Sequence, residues 1–93
     1  MKKALLLAKN DNVAVVLNDV LKGESVEVSG FGVKSVINSV NDITLAHKIA
    51  FKGIAKGDLV TKYGEVIGTA RAYINVGEHV HIHNIQSTRI GGN

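Results

Sequence analysis

The sequence predicts a small, mostly β domain with one short α-helix near its N-terminus. Three observations carry that expectation: strand-length apolar pieces recur from Ser25 onward, glycine-containing turns separate them, and the chain has ten glycines and no proline. Glycine supplies the positive backbone dihedrals of tight turns, so this composition fits a strongly bent sheet. Ninety-three residues make one domain, taken as 1–93, with a real but modest core.

Taken in order, "KKALLLAK" at residues 2–9 reads as a first strand. "NDNVAVVLNDVLKG" at 10–23 predicts the helix: Asn10 or Asp11 is a suitable N-cap, Val13, Val16, Leu17, Val20 and Leu21 recur at helical spacing, and Gly23 supplies the stop. From Ser25 the pieces shorten to "SVEVSG", "GVKSVINSV", "KIAFKGI", "DLVTKYG", "EVIGTARAYI" and "HVHIHNIQS", with "NDITLA" at 41–46 as the longest connection. Phe31, Phe51 and Tyr73 are expected in the core. No interdomain linker, low-complexity segment or internal repeat is evident, and the closing "IGGN" is expected to fray or engage another chain.

Composition excludes several functions. Without cysteine there is no disulfide framework, thiolate nucleophile or thiolate metal site. No apolar run exceeds the five residues of "ALLLA" at 4–8, too short to span a bilayer, and no secretory segment opens the chain, so a soluble cytoplasmic protein away from membranes is expected. The formal charge is +3, but the eleven basic residues are dispersed, four aromatics offer few stacking platforms, and no nucleic-acid motif accompanies them. That balance suits a small anionic partner better than a nucleic acid. A chain this small has room for help from a second polypeptide or from a copy of itself.

Chemistry concentrates in three places: His47 with Lys48, Lys62 with Tyr63, and the stretch "GEHVHIHN" at 77–84, which holds three of the four histidines. Read as a strand, that stretch puts His79, His81 and His83 on one face and Val80 and Ile82 on the other. Alternate residues stand roughly 6.6 to 7 Å apart along a strand, so a neighbouring pair can converge on one metal or substrate more readily than a trio. His81 and His83 form the preferred pair, because Asn84 adds a donor and an acceptor beside them. A solvated strand face that merely tolerates imidazole is the competing reading. Lys62, next to a tyrosine and a glycine turn, could bind a carboxylate or take part in proton transfer; it could equally be a surface lysine before a hairpin. By strand alternation His47, Ile49 and Phe51 share one face and Lys48 the other. "GFG" and "GG" lack the strand, glycine pattern and helix of a phosphate loop.

In sequence order, "DNVAVVLNDVLKG", "AHKIAFKGIAKGD", "VTKYGEVIGTA" and "GEHVHIHN" together resemble the small N-terminal SAF domain of the altronate and galactarate dehydratases, over residues 10–87. The small subunit of sulfolactate sulfo-lyase is similar. The resemblance implies a β-clip fold and lyase chemistry on a polyhydroxy or sulfonated carboxylate. It also implies a divalent metal, Fe2+ or Mn2+, in the complete enzyme. It makes the chain a small subunit or split N-terminal domain of a hydro-lyase, inactive without a large catalytic subunit. A sulfo-lyase small subunit and a non-catalytic ligand-binding module are the alternatives. His47 and Lys48 match the family's G-H-K stretch, Lys62, Tyr63 and Gly64 its K-Y-G, and His79, His81, His83 and Asn84 its H-V-H-x-H-N. The resemblance thus implies Lys62, Tyr63 and His47 as catalytic groups, Lys48, Asn84 and His79 as substrate-binding groups, and His81 with His83 as metal ligands. Ala46 departs from the pattern, which has glycine there, so the turn before His47 is expected to be tighter in conformation or differently aimed.

Overall fold

The computed structural model describes residues 1–87; the closing "IGGN" lies outside them. Nine strands form among the described residues: β1 (Lys2–Leu5), β2 (Val13–Val16), β3 (Ser25–Gly30), β4 (Val33–Asn38), β5 (Lys48–Ala50), β6 (Leu59–Lys62), β7 (Glu65–Ala70), β8 (His79–Val80) and β9 (Ile85–Gln86). They make a six-stranded sheet in the order β4-β3-β1-β2-β5-β8 and a three-stranded sheet in the order β6-β7-β9. The mostly β expectation holds. No helix among the described residues is long and apolar enough to cross a membrane.

The expected helix does not form. Val13–Val16 is a strand between β1 and β5, in register with Ala50 at Val13 and with Ala4 at Val16. Both of its faces pack: Val13 belongs to one apolar cluster, Ala14 and Val16 to another. A strand buried on both sides reads as a continuous apolar run and satisfies a helical spacing by accident, while the β-branched valines favour the extended form. The would-be cap residue Asp11 accepts hydrogen bonds from a distant hairpin.

Two core clusters result. Ala4, Leu6, Val16, Val20, Val26, Val28, Ile43 and Ile49 pack in one, with Phe51 against it. The other joins Val13, Ala50, Ile54, Val60, Ala70, Ile74 and Val80 beneath the smaller sheet. Phe31 and Tyr73 are not core: each is more than half exposed. Phe31 cannot be buried because it tips the β3–β4 hairpin, where Gly30 pairs with Val33 and leaves Phe31 and Gly32 as a two-residue loop with φ of 54° and 80°. That is the positive-φ turn that matches strand twist.

The structure also reveals an internal repeat that residue identity obscures. In "VLKGESV" (20–26), "ITLAHKI" (43–49), "IAKGDLV" (54–60) and "INVGEHV" (74–80), a buried Val or Ile leads into a turn whose fourth residue has positive φ, at Gly23, Ala46, Gly57 and Gly77. In each, the fifth residue's N–H donates to the second residue's carbonyl: Glu24 to Leu21, His47 to Thr44, Asp58 to Ala55 and Glu78 to Asn75. The turns pair across antiparallel bridges, Val20 with Ile43 and Ile54 with Ile74. Glu24 and Glu78 further brace their own turns, each carboxylate accepting the second residue's N–H at 2.7 Å. The second turn has His47 at that place, and Asp19 accepts the Leu45 N–H from outside it instead.

Candidate functional site

His47 is thus exempt from bracing its own turn, and the β5–β8 register explains where its ring goes. Lys48 pairs with Val80 and Ile49 with His79; continued one step beyond the strand ends, the same register sets His47 opposite His81. The ring centroids of His47 and His81 stand 4.6 Å apart and stacked, and those of His47 and His79 are 5.2 Å apart. His47 Nδ1 lies 3.0 Å from His79 Nε2, a distance at which one nitrogen donates and the other accepts. The His79 and His83 rings are tilted together at 5.3 Å.

One ligand nitrogen from each of His47, His79 and His81 lies within 4.8 Å of the others. Nitrogens bound to one ion at about 2.1 Å stand roughly 3 to 3.5 Å from one another, so the rings need only a small closure to fit a divalent metal. The metal pair read from the sequence was His81 with His83; the geometry groups His81 with His47 and His79. The single-face strand reading fails for a local reason. β8 ends at Val80, and residues 81–84 form a turn in which the Asn84 and Ile85 N–H groups both donate to the His81 carbonyl.

Two asparagines hold that turn. Asn84 is buried; its carboxamide oxygen accepts the His81 N–H at 2.9 Å and its nitrogen donates to the His79 carbonyl at 2.8 Å. Both ends of the side chain are therefore engaged with the backbone around the histidines. Asn41, which the sequence did not mark, accepts the His79 N–H at 2.9 Å.

The lysines form a second group. Lys48 alternates away from the buried Ile49, and burial, reinforced by the positive charge of Lys62, pulls its pKa below the ordinary lysine value. Among the described residues the ion pairs involve Lys2, Lys3 and Lys34, and neither Lys48 nor Lys62 has a carboxylate partner. Tyr63 and Gly64 form the two-residue tip of the β6–β7 hairpin, with φ of 58° and 75°, and Tyr63 is 72% exposed. The turn before His47 departs from glycine as the sequence suggested: Ala46 sits at φ 74°, a strained position for a residue with a Cβ.

Partial burial, then the nearby His83, His47, His81 and Lys48, push the His79 pKa down to about 4. His81 is lowered by burial first, then by His47 and Lys48. His79 therefore stays neutral, as a metal ligand must, well into mild acid. Above about pH 6.5 its imidazole is neutral in both the folded and the unfolded chain. Below that, the unfolded chain takes up a proton that the folded one refuses, so the metal-free protein should lose stability progressively toward pH 4. Thermal melts between pH 7 and pH 4 check this: the loss should be visibly smaller in His79→Gln than in the unsubstituted chain.

The small two-sheet β domain gathers imidazoles at one strand end, where three of them have the spacing of a candidate metal site, and among the described residues neither Lys48 nor Lys62 has a carboxylate partner. Residues 2–88 match the model of the altronate/galactarate dehydratase SAF domain, and the chain belongs to that family. It is 39% identical to altronate dehydratase of Bacillus subtilis over 94% of this chain and 17% of that protein. Identity to altronate dehydratase of Escherichia coli is 43%, over 83% of this chain and 15% of that protein. With the (2R)-sulfolactate sulfo-lyase subunit alpha of Paracoccus pantotrophus it shares 46% identity over 52% of this chain and 72% of that subunit. The chain thus spans under a fifth of the altronate dehydratases it matches.

Proposed function

We propose that this chain is the small subunit, or split N-terminal domain, of a hydroxy-acid lyase. The reaction would be dehydration of a sugar acid of the altronate or galactarate type, completed by a separate large subunit in the cytoplasm. The observation that carries this reading is the convergence of His47, His79 and His81 in a chain that spans under a fifth of the altronate dehydratases it matches.

Elimination from a hydroxy acid needs a proton removed next to a carboxylate and help for the departing group. A divalent ion, Fe2+ or Mn2+, would supply Lewis-acid stabilisation of the negative charge that develops on the substrate. His47, His79 and His81 would hold it, with His83 against His79 completing the imidazole group. Lys48, cationic and without a carboxylate partner, would bind the substrate carboxylate. Lys62 ends β6 and the exposed Tyr63 follows it at the hairpin tip, where they could hand a proton to the leaving group inside a site closed by the large subunit. Asn84 is assigned to holding the histidine turn, since its side chain is already hydrogen-bonded at both ends.

A sulfo-lyase role, with sulfite leaving in place of water, is the second reading, favoured by the match to a separate alpha subunit over 72% of its length. The purified chain, supplied with Fe2+ or Mn2+, should turn over none of altronate, galactarate or sulfolactate. Co-expressed with the large lyase subunit it should form a complex active on one of them. Turnover by the chain alone would overturn the split-enzyme reading, and a chain that binds sugar acids but activates no large subunit would be a ligand-binding module.

A further inference from the structure

The Asp11 carboxylate is 1% exposed and reaches across the fold to the tip of the β6–β7 hairpin. Its Oδ2 accepts the Tyr63 N–H at 2.8 Å and its Oδ1 the Gly64 N–H at 2.9 Å. Next to it, Asn12 accepts the Thr61 N–H and donates to the Leu59 carbonyl, both at 2.9 Å, so one dipeptide grips the outer edge of β6 and the turn beyond it. We propose that Asp11 is a positioning residue, whose carboxylate fixes where the Lys62–Tyr63–Gly64 tip stands relative to Lys48 and the histidine cluster. This rests on the lyase reading for its functional consequence, though not for its geometry.

Turn formation alone does not account for the clamp. The Phe31–Gly32 hairpin adopts the same kind of two-residue, positive-φ turn, and among the described contacts no side chain clamps it. Burying a carboxylate costs several kcal/mol of hydration, which the N–H groups of Tyr63 and Gly64 help to offset. What the clamp adds is location. It ties the tip to the segment entering β2, and β2 pairs directly with the β5 strand that begins at Lys48. Lys62 and Lys48 repel one another, and a free hairpin would relax by swinging its lysine away. A charged acceptor beneath the turn opposes that relaxation and keeps both cations available to one anionic substrate.

The test uses Asp11→Asn, which keeps the size but can accept only one of the two N–H groups, in the full chain and in its complex with the large subunit. In the chain, amide hydrogen exchange at Tyr63 and Gly64 should accelerate at least about tenfold while Val26 and Val28 keep their rates. Acylation of Lys62 by acetic anhydride should change in rate while that of Lys22 does not. In the complex, kcat should fall about 10- to 100-fold, with a smaller change in KM and unchanged metal content. Adding Asp11→Asn to Lys62→Met should cost much less than Asp11→Asn costs alone, because Lys62 is then no longer there to be placed and only the placement of Tyr63 is left to lose. Unaltered exchange at Tyr63 and Gly64 would overturn the proposal. So would a full additional loss in the Lys62→Met background, or a lower melting temperature with kcat per folded molecule preserved. An unsubstituted complex with no lyase activity would refute the proposed function instead, and exchange and acylation would still decide whether Asp11 places Lys62.

Discussion

Replacing His79 by alanine is expected to abolish divalent metal retention by the reconstituted complex and, with it, turnover. His79 sits at the centre of the group: its ring approaches those of His47, His81 and His83, and its Nε2 meets His47 Nδ1 at 3.0 Å. Removing one of three protein ligands should weaken metal binding at least about 100-fold, more than the 10- to 100-fold that loss of an outer-sphere partner costs. His47→Ala and His81→Ala should behave alike, whereas His83→Ala should cost less, because His83 lies outside the three converging ligand nitrogens and meets the group at the His79 ring. Metal content after dialysis, measured beside activity, separates the possibilities. Lost activity with full metal retention in His79→Ala would mean that the imidazoles bind substrate and the partner holds the ion. Unchanged activity in all four variants would return the cluster to a solvated surface.

The second large effect is on stability. Gly77 sits at φ 93° in the turn two residues before β8, and a Cβ there would run into the Asn38 carbonyl oxygen, far inside van der Waals contact. Asn38 is backbone in the β3–β4 hairpin and cannot turn aside as a flexible side chain could. Gly77→Ala therefore combines a left-handed residue with a backbone collision, for an expected loss of about 3 kcal/mol or more. In a domain of this size that corresponds to a fall in melting temperature of roughly 12 to 24 °C. Because Gly77 also donates to the Ala50 carbonyl and accepts from Val40, the damage should reach the strand that carries His79. A melting temperature within a few degrees of the unsubstituted protein would mean that the turn has room to shift.

How much of this was legible beforehand differs from residue to residue. "SVEVSG" is β3 from end to end, since alternation and a flanking glycine turn are local signals. "VAVV" was misread because a doubly buried strand carries no period of its own. The fourfold turn escaped notice because its third position varies and its second copy has Ala46 and His47 in place of glycine and an acid. Asn41 and Asp11 were invisible as site residues, since their partners lie 38 and 52 residues away.

By itself the sequence determined the all-strand character after Ser25, the concentration of imidazoles in "GEHVHIHN", the basic pairs and the family. These depend on residue type and short spacing, which a chain carries wherever it folds. Only the tertiary structure decided that His47 joins His79 and His81, that Asn84 holds the turn beneath them, and that Asp11 serves a hairpin. Strand register and buried hydrogen bonds select such contacts after distant segments meet. The free energy that selects them comes from packing two apolar clusters, to which none of these polar side chains contributes.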